Sequence, residues 1–97
     1  MLTSKERSKL IGLSSKLDTI MQVGKDGVKD SLIKTLSDAL EAKELIKISV
    51  LNNCSDDKED VADTIASALG AEKVAVIGKK VILYRKSSRK NITHIEL

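Results

Sequence analysis

Two stretches of this sequence set residues at spacings that chemistry can use. Gly24-Lys25-Asp26-Gly27 places two glycines around two polar residues. Glycine has no Cβ, so such a loop lets the main chain come close to a ligand. Where a helix follows, its first amides point outward and favour an anion. KH domains clamp a nucleic-acid backbone with a loop of this kind. On pattern alone the same four residues also suit an ordinary strand-to-helix turn. Lys25 and Lys29 turn the reading toward an anion, because a purely structural turn needs no cations.

The second stretch runs from Gly78 to Lys90. It holds Lys79, Lys80, Arg85, Lys86, Arg89 and Lys90 and no acid, a patch that a phosphate backbone would find. Lysines at a sheet edge also discourage aggregation, which accounts for one or two of these cations but poorly for six. Tyr84 is the one aromatic in the chain. It could stack on a base or ribose, although half-buried packing with a surface hydroxyl is the favoured reading.

Other reactive side chains do not converge in sequence. Cys54 and His94 could seed nucleophilic catalysis only if a base and its orienting group met the nucleophile, and nothing in their positions brings them together. They are also too few for a structural zinc site. Asp56, Asp57, Glu59, Asp60 and Asp63 lack the calcium-loop spacing and its glycine; they read as a solvated helix start that complements the dipole. Neither an enzyme, a metal nor a cofactor is expected.

Net charge is +3, yet its distribution is uneven. Residues 1–51 carry nine basic and seven acidic side chains, 52–77 two and six, and 78–97 six and one. Segregation of this kind presents a basic surface larger than the total implies, and a polyanion is the matching partner. With one Tyr, no Phe and no Trp, recognition by stacking on two or three sheet aromatics is excluded. A lone cysteine rules out an intramolecular disulfide and suits a reducing compartment. No apolar run approaches the roughly 20 residues of a membrane span, and the first residues lack the apolar stretch of a secretory signal. A soluble, cytoplasmic protein with no membrane contact is expected.

The elements that must position these residues follow from periodicity. Thr3 and Glu6 have capping-box spacing, and Leu10, Leu13 and Leu17 fall on one face of a helix over about 4–16. Residues 19–23 are short and β-branched, a strand ending at Gly24. Val28, Leu32, Leu36 and Leu40 define a helix over 28–42. Ile46, Ile48 and Val50 alternate with polar residues in a second strand. Asp56 with Glu59 suggests another capping box, and Val61, Ile65, Ala68 and Leu69 give a third helix ended by Gly70. Strands at 74–77 and 81–85 flank Gly78-Lys79-Lys80, a tight hairpin. The order α-β-α-β-α-β-β predicts an α/β fold: a two-layer sandwich of three helices on a four-stranded mixed sheet. A domain over 1–86 is followed by a basic tail, 87–97, without helical period and a candidate for disorder.

Leu10-x-x-Leu13, Val23-Gly24-Lys25-Asp26-Gly27-Val28, Glu44-Leu45-Ile46-Lys47-Ile48 and Ile77-Gly78-Lys79-Lys80-Val81-Ile82-Leu83-Tyr84-Arg85 together resemble the CRM domain (chloroplast RNA splicing and ribosome maturation), most of all its single-domain bacterial YhbY type. The resemblance covers about residues 3–86. It implies a fold like the C-terminal domain of bacterial initiation factor three and RNA binding through the glycine-flanked loop and adjoining basic surface. Carried onto this sequence, the implied RNA-binding residues are Gly24, Lys25, Asp26, Gly27 and Lys29 with Gly78, Lys79, Lys80, Tyr84 and Arg85. The bacterial type implies an association with precursors of the large ribosomal subunit, and a monomeric assembly cofactor or RNA chaperone on large-subunit ribosomal RNA or its precursor particle is expected. Asp26 departs from a purely basic loop and shifts contact toward backbone amides. The alternative is a protein–protein adaptor on ribosomal particles, docking by the acidic face of the third helix.

Overall fold

The chain starts its first helix with a reciprocal cap. Thr3 Oγ1 accepts from the Glu6 amide at 3.1 Å, and Glu6 Oε1 accepts from the Thr3 amide at 2.9 Å, so two orphan donors are satisfied at once. These hydrogen bonds hold the Glu6 carboxyl below its ordinary pKa. The computed structural model describes residues 2–25, 27–52, 57–92, 94 and 95. In chain order its elements are α1 (Ser4–Ser14), β1 (Met21–Val23), α2 (Asp30–Lys43), β2 (Leu45–Val50), α3 (Lys58–Leu69), β3 (Glu72–Ile77) and β4 (Lys80–Tyr84). This is the expected order, and the expected α/β class with three helices and a four-stranded mixed sheet is what forms.

Strand order is β1-β2-β4-β3, with β1 parallel to β2 and β4 antiparallel to both β2 and β3. Helix α2 therefore crosses between adjacent parallel strands, whereas β4 inserts between β2 and β3. Period-2 alternation then divides the core. Val23, Ile46, Ile48, Val50, Val81 and Leu83 face Leu32, Leu36 and Leu40 of α2 and Val61, Ile65 and Leu69 of α3. Leu45, Ile82, Tyr84 and Val74 face Leu10 of α1. The two-layer sandwich expected from sequence thus describes the sheet with α2 and α3, and α1 adds partial cover to the opposite face. Lys47 fastens that cover: its ammonium donates to the Ser14 and Leu17 carbonyls at 3.4 and 3.3 Å.

Several boundaries differ from the sequence reading, each for a local reason. Helix α1 stops at Ser14 and turns Leu10 and Ser14 inward, leaving Leu13 39% exposed; Leu17 packs on the lower core from the connecting segment. Helix α2 begins at Asp30, with Val28 packing on the core from the loop. Helix α3 is entered through Asp57, whose side chain makes no capping bond; Asp56 of the expected capping box lies outside the described residues. Ala62 and Ala66 are buried in α3 and Ala68 is exposed. Gly70 ends α3 at φ +62°, a left-handed conformation that glycine adopts without strain. A bulge between Lys73 and Ala75 frees two carbonyls, and Arg7 Nη1 donates to both, Lys73 at 2.8 Å and Val74 at 2.7 Å.

Candidate nucleic-acid interface

Register decides which candidate residues share a surface. β1 and β2 run the same way, so the loop after β1 opens beside the end of β2. β4 runs against β2 and pairs Lys80 with Ser49, so the hairpin turn before it lies at that same end. Two hydrogen bonds knit the three together. The Val50 amide donates to the Lys79 carbonyl, and the Leu51 amide to the Val23 carbonyl, each at 2.8 Å. Strands lie about 4.8 Å apart, which sets the loop at Gly24 and the turn at Lys79 roughly 10 Å from each other across β2.

Within the loop, the Gly27 amide donates to the Gly24 carbonyl at 3.0 Å, closing a four-residue turn, and Gly27 sits at φ +69°. A Cβ is strained there, so the second glycine is a conformational requirement. Lys29 caps α2 without a side-chain bond to its amides. The first intrahelical bond is Ile33 N–H to Lys29 O at 3.1 Å, so the amides of residues 30–32 have no intrahelical acceptor. Gly24, Lys25, Gly27, Lys29 and Ser31 line a cleft of about 250 Å³ together with Gln22 and Thr35. Lys25 is exposed. The remaining loop candidate, Asp26, lies outside the described residues.

The hairpin turn contains two residues, Gly78 and Lys79, because Ile77 and Lys80 already pair. Gly78 holds φ +58°, as a two-residue hairpin requires at a left-handed position. Lys79 is exposed on the turn, and Lys80 leads into β4 with its ammonium 3.4 Å from Thr19 Oγ1.

Tyr84 and Arg85 do not join this group. Four steps of strand carry the chain roughly 13 Å from Lys80, to the end where Tyr84 pairs with Leu45. Tyr84 is 8% exposed and packs with Leu10; burial, then the Glu44 and Glu6 carboxylates, push its phenol above the ordinary value. Arg85 faces the helices. Nη1 donates to the Leu69 carbonyl at 2.8 Å, and Nη2 to Ser37 O and Oγ at 3.1 and 3.0 Å, with Glu41 at 3.9 Å. A guanidinium on the last carbonyl of a helix complements its dipole, and this one also ties α3 to α2. The expected grouping of Arg85 with the hairpin lysines thus gives way to a division between opposite ends of the sheet.

A further cleft of about 250 Å³ lies at that opposite end, among Lys16, Asp18, Lys43 and Lys47. It lacks a glycine loop, an acid lines it, and the Lys47 ammonium is already engaged by carbonyls. On α3, the exposed acids considered for an adaptor surface are partly neutralised. Lys73 bridges Glu59 at 2.9 Å and Asp63 at 2.7 Å, and those contacts hold its own pKa above the usual lysine value. His94 pairs with Glu44 rather than with a nucleophile, and Cys54 lies outside the described residues. No group of three or more His, Cys, Asp or Glu among the described residues could hold a metal. None of the described helices is long and apolar enough to cross a membrane.

Comparison with known proteins adds independent findings. Residues 2–85 match the model of the CRS1/YhbY (CRM) domain. The chain is 46% identical over 87 residues to a Bacillus subtilis protein named "Probable RNA-binding protein YqeI", covering 90% of this chain and 91% of that one. A Haemophilus influenzae protein named "RNA-binding protein" is 29% identical over 91 residues, with 94% and 92% covered. The solution structure of SAV1595 from Staphylococcus aureus superposes with a TM-score of 0.79 at 41% identity, covering 98% of this chain and all of that one.

Proposed function

The chain belongs to the CRS1/YhbY (CRM) domain family, and on that premise we propose that it binds single-stranded RNA through the end of the sheet built by Gly24–Gly27 and the Gly78-Lys79-Lys80 turn. In this reading it acts in the cytoplasm as a monomeric, non-enzymatic cofactor or RNA chaperone of large-subunit ribosome assembly. The observation that carries the proposal is the convergence, by sheet register, of a glycine-closed turn, the first amides of α2 and the lysines at 25, 79 and 80 at one end of the sheet. Relatives named for RNA binding support the ligand class. The ribosomal part rests on the resemblance to the single-domain bacterial type.

Phosphates supply most of the affinity in such an arrangement, and sequence preference is modest. Engagement of about four phosphates on a single strand gives a slope of log K against log salt near −3, at about −0.7 per contact. Titrations across a range of salt measure it directly, and a slope near zero removes the electrostatic basis of the proposal.

Cross-linking of the tagged protein to RNA in growing cells tests the biological target. Reads are expected to concentrate in large-subunit ribosomal RNA or its precursor. Reads spread over introns or messages would retain RNA binding and refute the ribosomal role; no enrichment over an untagged control would favour the adaptor.

A further inference from the structure

Helix α1 covers only part of its face of the sheet. Leu10 packs over Leu45, Val74, Ile82 and Tyr84 toward the far end, and toward the end of the hairpin turn the sheet surface is open. A groove of about 310 Å³ remains there, floored by Ile77 and Ile82, walled by Ile11 and Ser15 of α1 and its following turn, and flanked by Lys47 and Lys80. Ile77 is 52% exposed. That is unusual for a branched aliphatic side chain on a sheet, where it normally packs on a neighbour. The groove lining contains no acid.

Pairing links this groove to the cleft of the glycine loop. Ile77 lies opposite Lys80, Lys80 opposite Ser49, and Ser49 opposite Gln22. These four residues form one row across all four strands, and Gln22 at its end also lines the cleft of Gly24 and Lys25. An aliphatic floor with the Lys80 ammonium at its rim suits a ligand that is flat and apolar in one part and anionic in the next. An unstacked nucleotide of a single strand has that character, whereas in a duplex the base faces are stacked away.

We propose that the Ile11–Ile77–Ile82 groove is a nucleobase subsite, holding one unstacked base of an RNA whose backbone lies on the Gly24–Gly27 loop, with Lys80 at the adjoining phosphate. The proposal rests on the RNA-binding reading above and goes beyond it, because it gives the bases themselves a share of the affinity in a chain whose one aromatic, Tyr84, is buried against Leu10. Base contact here is dispersion and burial against isoleucine.

The test compares a short single-stranded RNA of mixed sequence with the matching strand made abasic, which keeps the phosphates and removes the bases. The native protein is expected to prefer the intact strand by on the order of tenfold, a base contact being a modest increment. Ile77→Ala should erase most of that preference and leave affinity for the abasic strand unchanged. Ile77→Thr, which retains the β-branch suited to a strand, provides a second variant, and thermal melts confirm that both are folded. Full preference retained in both variants overturns the subsite while leaving RNA binding intact, as does equal binding of the two strands by the native protein. Failure of the native protein to bind either strand overturns both readings. A variant that keeps its RNA preference but no longer co-sediments with ribosomal particles assigns the groove to a protein partner and likewise refutes the subsite.

Discussion

Replacing Lys25, Lys79 and Lys80 together by Ala is expected to weaken binding to single-stranded RNA by about 50-fold at 0.15 M salt, with little change in thermal stability. The magnitude follows from counterion release. Three lost contacts at about 0.7 each remove roughly 2.1 from the slope, which between 1 M and 0.15 M salt amounts to about 1.7 log units. The slope itself should fall from near −3 to near −1, a signature that a misfolded variant would not produce. Stability should hold because Lys25 and Lys79 are exposed and the Lys80 ammonium makes one long contact, 3.4 Å to Thr19 Oγ1; a hydrogen bond of that length contributes little. Arg85→Ala is the informative control. It strips the Leu69 and Ser37 carbonyls of their donor and should lower the melting temperature while leaving the salt slope unchanged. If Arg85→Ala and the triple variant lose the same affinity, the division of the basic residues between the two ends of the sheet does not govern binding.

Charge counting along the sequence hides that division, although most of the elements are legible there. Periodicity located the helices and strands because a buried face repeats with the period of its element, as Leu32, Leu36 and Leu40 do. Thr3 and Glu6 announced a helix start because the cap is local, three residues apart. Lys79, Lys80 and Arg85 are neighbours in the chain, and charge counting merges them. The strand expected at 81–85 already sets Lys80 and Arg85 at its two ends; only the pairing of Lys80 with Ser49 and of Gln22 with Ser49 shows that the lysine end is the one beside the glycine loop, and pairing between distant segments leaves no local trace. Alternation did imply that Arg85 and Tyr84 point to opposite faces. It could not reveal that the carbonyls of Ser37 and Leu69 wait for a guanidinium on one of them. The α1 leucines show the same limit: Leu13 fits a leucine repeat, but the sheet accepts the side of α1 that carries Leu10 and Ser14.

Glu44 left the least trace in sequence and has the largest expected effect on stability. It follows α2 directly, with its amide donating to the Leu40 carbonyl at 2.8 Å and its backbone at φ +65°. A residue other than glycine in that region costs of order 1 kcal/mol or more, so its side chain must return more than that. The carboxylate is 0% exposed and gathers the C-terminal segment. It accepts from the Ser87 amide at 2.7 Å and the Ile95 amide at 2.6 Å, and pairs with His94 Nδ1 at 2.6 Å. Glu41 completes the attachment one turn earlier, accepting from the Ser88 amide at 3.0 Å and from its hydroxyl.

Burial alone would raise the Glu44 pKa, but the hydrogen bonds from His94, Ile95 and Ser87 prevail and hold it below the usual carboxylate range. A carboxyl that is more acidic folded than unfolded stabilises the native state above its unfolded pKa, and that stability is lost as pH falls through the folded value. Glu44→Gln keeps the size and the backbone position while removing the charge and setting an NH₂ against amide donors. It should cost about 3 kcal/mol at neutral pH, the range for hydrogen bonds to a buried charge with donors left unpaired, which is on the order of 10–20 °C in melting temperature for a domain of this size. Because protonation of the native carboxyl removes the same advantage, the gap between native and variant should narrow progressively below about pH 4. Thermal melts of both proteins at neutral pH and near pH 3 measure the two effects. A gap that persists undiminished in acid would mean that the substituted amide fails by its shape rather than by its lost charge. A variant as stable as the native protein at neutral pH would mean that the segment from Ser87 to Ile95 is held by something other than this carboxylate.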